Sequence, residues 1–442
     1  MNSRLTLKFY LPFLLAAPLL PAQIASAANL SDIYEMAEAR DSVIQASRAQ
    51  YEAALEALPL AKSAMRPQIA IAANIAQNED NDDGGGTFES DSLGASITQN
   101  VFNLTATRTI ARARVAVAQA KATLKEAEQN LMFRTAEAYF NVLTAREAFS
   151  AASSSREAIA SQTEQAERRF DVGLTAITDV KEAQAQLDLA VAREVVAENQ
   201  LALAKEALRV IINEEVPPLD GLAANAALTA PEPTSVEEWI AVATKNNPRL
   251  AVAEQEFELA VADIKIERAG RLPTVALIAG YQNQSSEQPV NLQQEIQRES
   301  GQIQLQLEYP FITGGRTSAL IRQAKSRSTQ SSFNLETVRR AVIQETRDAY
   351  LTVLADISQS NALGKALDST KVAKDATQAG FDAGTRTAVE VLVSLRDTFD
   401  AYADYAAARH QYVISSLQLR LAAGILAQKH IDSVSKSLTP GS

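Results

Sequence analysis

The chain has 442 residues, 5% of them aromatic, with no cysteine, two histidines and a formal net charge of −11. The negative charge argues against nucleic acid as a partner, because phosphate backbones are bound by basic surfaces. The lack of cysteine excludes disulfides, thiolate chemistry and a lipidated cysteine after a signal peptide. His410 and His430 do not have metal-ligand spacing, so no metal or cofactor is expected.

The first 27 residues have the pattern of a secretory signal peptide. Two basic residues precede a short apolar run that ends at Leu20, and Ala25-Ser26-Ala27 fits a signal-peptidase site. The apolar run is shorter than the roughly 20 residues that a spanning helix needs. No later stretch is apolar enough to form such a helix. The pattern therefore predicts an exported protein, cleaved after Ala27, that does not enter a membrane through helices.

Four segments alternate between apolar and polar side chains, which is the period of a β-strand. They are predicted at about 67–77, 92–102, 273–283 and 301–311, as two hairpins with polar loops. Their length fits a tilted transmembrane strand, and their one charged residue, Glu308, lies on the polar parity. The apolar parity is predicted to face lipid, and its members are Ile69, Ile71, Ile75, Leu93, Ile97, Val101, Val275, Leu277, Tyr281, Ile303, Leu305, Leu307 and Tyr309.

A sheet of only four strands is not stable in lipid by itself. Its two edges would expose unpaired backbone groups, each at a cost of several kcal/mol. Either several chains close one barrel together, or the hairpins are soluble and pack on a core. The polar parity favours the first alternative, because a solvent-facing strand usually carries charges and these carry Gln, Asn, Ser, Thr and small residues.

Very long helices follow each hairpin. No proline or glycine interrupts Thr105–Asp171 or the run from Arg316 to about Leu363. A helix of about 65 residues spans about 100 Å. In the first run, apolar or small residues recur at every seventh position, which is typical of a coiled-coil surface. These heptad positions are Val117, Leu124, Leu131, Ala138 and Ala145.

The chain is internally duplicated, since FDVGLTAITDV at 170–180 parallels FDAGTRTAVEV at 381–391. Each half is predicted to contain a helix, two strands, a very long helix, a turn and a returning helix. Gly173 and Gly384 are predicted to supply left-handed conformations in the two turns. The predicted organisation has a first repeat, an irregular proline-rich equatorial linker, a second repeat and a C-terminal tail, at 28–212, 213–235, 236–427 and 428–442.

This plan and the paired turns GLTAITDV and GTRTAVEV resemble the TolC family of outer-membrane efflux and secretion ducts, over essentially the whole mature chain. The resemblance implies a homotrimer in the outer membrane of a Gram-negative bacterium, mostly α with a small β part. Its chains would share a 12-stranded transmembrane β-barrel and a long periplasmic α-barrel tunnel. The implied function is a passive exit duct for a tripartite efflux pump, a type I secretion system or both. The implied partners are outer-membrane lipid, a periplasmic adaptor (membrane fusion) protein and an inner-membrane efflux or ABC transporter.

The closing network of that family corresponds to Thr178 and Asp179 in the first turn and Arg386 in the second. A carboxylate and a guanidinium can form a bidentate pair. A partly exposed pair contributes about 1 kcal/mol or less, which suits a reversible latch. The alternative is that both charges are ordinary solvated groups at helix ends. The family's tyrosine before the second turn is Phe381 here, so one hydroxyl contact is lost.

Two acid rings at the tunnel mouth of the family correspond to Glu390 and Val393, so only Glu390 can supply carboxylates. Glu390 also fits a capping box that begins at Thr387 and opens the returning helix, and the two roles are compatible. The sequence contains no Walker loop, dinucleotide fingerprint, zincin motif or nucleophile elbow, so no enzyme is predicted. The remaining alternative is a secreted coiled-coil scaffold or adhesin with soluble hairpins.

Overall fold

The structure of the chain is a computed structural model that describes residues 27–79, 87–224, 226–287 and 295–439. The predicted signal peptide up to residue 26 and the middle of both hairpin loops lie outside these ranges. Within them the helices are α1 (Leu30–Arg40), α2 (Ser42–Leu55), α3 (Ala57–Ser63), α4 (Leu104–Asp171), α5 (Ile177–Ile212), α6 (Val236–Asn246), α7 (Pro248–Ala269), α8 (Arg316–Asp382), α9 (Ala388–Ala422) and α10 (Gln428–Ser435). The strands are β1 (Gln68–Glu79), β2 (Thr87–Phe102), β3 (Gly221–Leu222), β4 (Thr274–Glu287), β5 (Glu295–Glu308) and β6 (Leu438–Thr439).

Helices α4 and α8 are the two very long helices, with 68 and 67 residues. Each spans about 100 Å at 1.5 Å per residue. The side chain of Asn103 caps α4 by accepting a hydrogen bond from the Ala106 amide at 2.9 Å. Helix α8 continues past Gly364, where a Cβ would lie 3.2 Å from the Tyr405 ring of α9. Glycine is a weak helix former, but here it allows close packing between α8 and α9. The helix therefore continues beyond the glycine-free run predicted from the sequence.

The four longest helices lie side by side in the order α5, α4, α9, α8. Thr163 Oγ1 of α4 donates to the Ala183 carbonyl of α5 at 3.3 Å, and Thr398 Oγ1 of α9 donates to the Thr370 carbonyl of α8 at 3.2 Å. The five predicted heptad positions of α4 are all buried or half-buried. Buried alanines also recur at every seventh position of α5, which lets the neighbouring helix approach closely; they are Ala183, Ala190 and Ala197.

The largest hydrophobic core lies near the middle of the long helices, where the short helices and the linker pack around them. The hydroxyl of the buried Tyr139 lies 2.7 Å from the carbonyl of Asp220 and 3.2 Å from that of Ala28. The linker, predicted to be irregular, has among its described residues the short strand β3, which pairs with β6 of the tail. The linker and the tail are therefore joined by backbone hydrogen bonds beside this core.

A neutral histidine is buried close to the same core. His410 of α9 is 5% exposed, and its Nδ1 lies 2.9 Å from Thr144 Oγ1 of α4. Burial, helped by the nearby Arg409 and Arg146, lowers the pKa of His410 to about 4. The unfolded chain binds this proton near pH 6.5, so the stability that His410 contributes is complete above pH 6.5 and is lost as the pH falls through 4.

We therefore expect His410→Gln to make unfolding less sensitive to acid. The lowered pKa of His410 corresponds to a contribution of at most about 3 kcal/mol to the free energy of unfolding at neutral pH. The measurement is the thermal midpoint of helix loss, by circular dichroism, at several pH values between 7.5 and 4. The carboxylates are the same in wild type and in His410→Gln. The difference between the two curves of thermal midpoint against pH therefore gives the contribution of His410. Parallel curves over this range would contradict the prediction.

The other four strands form one antiparallel sheet in the order β1-β2-β4-β5. They extend further toward the loops than predicted, because the backbone ladder continues through polar residues such as Asp91, which lies opposite Ile75. β5 ends at Glu308, so Tyr309 lies outside the strand, contrary to the prediction. The position opposite Tyr309 would be Pro273, which has no N–H to donate. No helix within the described ranges is long and apolar enough to cross a membrane.

Candidate functional site

Two turns of matching geometry join the long helices to their returning helices. Gly173 has φ = 75° and Gly384 has φ = 77°, and both lie in the left-handed region. In the first turn the Leu174 amide donates to the Arg169 carbonyl at 2.8 Å. In the second turn the Thr385 amide donates to the Gly380 carbonyl, also at 2.8 Å. Each long helix therefore ends in a glycine-dependent cap that reverses the chain.

The two returning helices begin differently. Thr387 and Glu390 form a complete capping box: the Glu390 amide donates to Thr387 Oγ1, and the Thr387 amide donates to Glu390 Oε2. The equivalent residue in the first turn is Ala176, which has no side chain that can cap α5. The hydrogen bond from the Thr387 amide lowers the pKa of Glu390 most, and the hydrogen bond from Arg386 lowers it further. The Glu390 carboxylate therefore stays charged at neutral pH.

The residues of the predicted latch bond within their own turns. Arg386 Nη1 donates to Glu390 Oε1 at 2.6 Å. The repeat-equivalent contact of the first turn joins Thr175 Oγ1 to Asp179 Oδ2 at 2.5 Å. Within the described part of a single chain, Asp179 and Arg386 do not form the predicted ion pair. Each contact runs from the residue before a helix N-cap to a residue in the first turn of that helix, four positions further on, so both are local to one turn.

A cleft between the two turns nevertheless brings most of the predicted residues together. Asp179, Phe381 and Arg386 all line it. Thr178 is exposed and does not line it. The distal end of α4 supplies other side chains around the latch residues, including Gln162, Gln165 and Arg169.

Arg169 in this cleft and Gly380 beside it were not predicted from the sequence. The Arg169 guanidinium lies over the Phe381 ring, with Cζ 4.8 Å from the ring centroid. Gly380 leaves room for Arg386, because a Cβ at position 380 would lie 2.7 Å from Arg386 Cγ. Residues 169 and 380 occupy equivalent positions in the two repeats. The sequence signal for this difference was the presence of arginine at 169 and glycine at 380, directly before the matching segments of the two repeats.

At the end of the sheet nearest the helices, apolar and polar side chains lie on opposite faces, whereas nearer the loops the apolar parity also carries charged residues such as Asp91. Cross-strand pairs place Ile69 opposite Ile97, and Ala279 opposite Ile303, on one face. Small and polar residues such as Asn74, Ser96 and Gln302 line a hollow on the opposite face. Val275 is half-buried, and the other predicted lipid-facing side chains are exposed; they are Ile69, Ile71, Ile75, Leu93, Ile97, Val101, Leu277, Tyr281, Ile303, Leu305, Leu307 and Tyr309.

Comparison with known proteins agrees with this architecture. A family model described as "Outer membrane efflux protein" matches residues 33–214 and 239–425. The chain belongs to the outer membrane efflux protein family. It is 35% identical to the outer membrane protein TolC of Vibrio cholerae over 93% of this chain and 94% of that protein. It is 26% identical to the alkaline protease secretion protein AprF of Pseudomonas aeruginosa over 96% of this chain and 90% of that protein.

The fold agrees with solved structures as well. The Campylobacter jejuni CmeC outer membrane channel superposes with a TM-score of 0.77 at 14% identity, covering 99% of this chain and 98% of that one. Membership of the outer membrane efflux protein family confirms the predicted resemblance, the outer-membrane location and the function as an outer-membrane exit duct. The family is one of channels rather than enzymes. The coiled-coil scaffold with soluble hairpins is therefore set aside.

Proposed function

We propose that three copies of the chain form one passive exit duct for an efflux pump, a type I secretion system or both. The hairpins of the three chains close a transmembrane barrel, and their long helices close the periplasmic tunnel. In this proposal the two repeats, the equatorial linker and the tail have the bounds predicted from the sequence. The signal peptide, residues 1–27, directs export.

The observation that carries the proposal is the sheet of β1, β2, β4 and β5. In a single chain the outer edges of β1 and β5 have no strand partner among the described residues. Unpaired edges are too costly in lipid, and pairing β5 of one chain with β1 of the next removes every edge. The exposed apolar face supports contact with lipid, and the hollow polar face supports a water-filled lumen.

The distal cleft is the proposed gate. Asp179 and Arg386 each have a partner within their own turn, so a latch between them forms when neighbouring chains bring the turns together. Three copies of Glu390 would place a ring of carboxylates at the tunnel mouth. Docking of a periplasmic adaptor and an inner-membrane pump at this end would separate the latch pairs and open the duct.

We expect Ile303→Lys to prevent stable insertion and Gln302→Lys to be tolerated. Ile303 is 80% exposed on the apolar face, and a lysine in the middle of a lipid-facing strand costs about 2–4 kcal/mol. Gln302 is its neighbour on the polar face, so a lysine there would lie in the lumen. The measurement is the amount of detergent-resistant, heat-dissociable trimer in purified outer membranes. Equal loss in both variants, or a soluble wild-type monomer, would refute the proposed barrel.

A further inference from the structure

The stacking of Arg169 on Phe381 joins the two repeats at their distal ends. Arg169 lies in the last turn of α4 and Phe381 in the last turn of α8, with 4.8 Å between Cζ and the ring centroid. The neighbouring Arg168 pairs with Glu164 of its own helix at 3.3 Å. Arg169 forms no ion pair within the described chain, so the Phe381 ring is the partner that the geometry gives its charge.

The chemistry of the contact suits phenylalanine. The face of an aromatic ring carries negative charge density and attracts a guanidinium, and this attraction does not need a hydroxyl. Phe381 stands where the TolC family pattern has a tyrosine, and loss of the hydroxyl removes one bond to a neighbouring polar group. Stacking with Arg169 supplies another link at the same position, between the same two helical hairpins.

The two repeats differ in this contact: the first repeat supplies the arginine that reaches the second, and the second repeat has no equivalent side chain. Residue 169 is equivalent to residue 380, and residue 170 to residue 381. Gly380 has no side chain to reach the first turn, and its place is filled by Arg386, whose Cγ would lie 2.7 Å from a Cβ there. Arg169 thus crosses from the first turn to the second, while Gly380 lets Arg386 fold back beside the cleft that contains Asp179.

We infer that Arg169 is a further gate-positioning residue, which fastens the end of α4 to Phe381 and holds the second turn, with Arg386, in the closed arrangement. Opening the tip separates the guanidinium from the ring. This inference rests on the proposed duct, and it adds a link within each chain to the proposed latch between chains. An exposed contact of this type changes an opening equilibrium by about two- to fivefold.

The test is a double-mutant cycle of Arg169→Gln and Phe381→Leu in the trimer, read by two methods. Hydrogen exchange of peptides spanning 380–387 reports the stability of the second turn. Conductance in a planar bilayer reports opening. We expect each single variant to raise the exchange rate about two- to fivefold and to enlarge the conducting steps. The double variant should add nothing further, because either change already removes the contact.

Conservative variants and a neighbour control separate this contact from a general loss of charge. Arg169→Lys keeps a cation over the ring, and Phe381→Tyr keeps the ring and adds a hydroxyl, so neither should raise the exchange rate or enlarge the conducting steps. Arg168→Gln removes an adjacent arginine whose ion pair, with Glu164, lies within α4, and it should change neither measurement.

The outcomes distinguish this inference from the proposed function. If the Asp179 and Arg386 variants open the channel while Arg169→Gln changes neither exchange nor conductance, the duct stands and the inference fails. Additive effects in the cycle would also overturn it. A third outcome is that the two substitutions have non-additive effects on hydrogen exchange, but well-inserted wild-type protein never conducts. The proposed duct is then refuted, and Arg169 joins the two turns without acting in a gate.

Discussion

In a planar bilayer, purified wild-type protein should give small steps, and the Asp179→Ala, Arg386→Ala double variant should give steps several-fold larger. Three latch pairs per trimer, each contributing about 1 kcal/mol or less, total roughly 1–3 kcal/mol. Losing that energy shifts the open-to-closed ratio by about five- to 150-fold. Each single variant should come close to the double, because a pair is lost when either partner is removed.

A matched control shows whether the effect belongs to the tip. Glu336 and Arg340 of α8 form an exposed pair four residues apart at 2.7 Å, the same spacing as Arg386 and Glu390. The Glu336→Ala, Arg340→Ala variant should conduct like wild type. Equal conductance in wild type and in the Asp179→Ala, Arg386→Ala variant would keep the duct and refute the latch, leaving the two residues as solvated helix-end charges.

Gly424→Ala should destabilise the protein by about 2–5 kcal/mol, as the sum of backbone strain and overpacking. Gly424 has φ = 69°, and a Cβ there would lie 2.4 Å from Asn247 Cα. Asn247 caps α7 through its side-chain oxygen, and its Nδ2 donates to the Ala422 carbonyl at 2.8 Å. A methyl group would therefore push the start of α7 away from the end of α9, at the edge of the main core.

Gly314→Ala separates strain from collision. Gly314 has φ = 57°, yet no atom of the described residues beyond its two chain neighbours lies within 4 Å of the position that its Cβ would occupy. This variant should lose only the backbone term, about 1–2 kcal/mol. The measurement is the midpoint of thermal unfolding of the trimer, together with its level in the outer membrane. If the two variants lose equal stability, the contact with Asn247 relaxes freely and the prediction is wrong.

Features that depend on local repetition were predictable. The uninterrupted α4, the four alternating strands and the matched turns all arise from residues within a few positions of one another. The capping box of Thr387 and Glu390 spans three residues, and the left-handed Gly173 and Gly384 follow from the turn sequence itself. The strand ends were less predictable, because a ladder stops where its partner stops, as at Glu308 beside Pro273.

By itself, the sequence determined the helical and strand periods, the duplication and the family, because each of these is written in neighbouring residues or in a repeat of them. Two charge contacts at the tip are local, whereas the contacts between distant segments depend on the tertiary structure. Arg386 pairs with Glu390 four residues away, and Asp179 bonds Thr175, since local partners are already in reach before the repeats dock. Arg169 meets Phe381, and Gly424 meets Asn247, only after segments more than 170 residues apart have packed together. Contacts of that kind depend on the packing of whole helices, which no local pattern encodes.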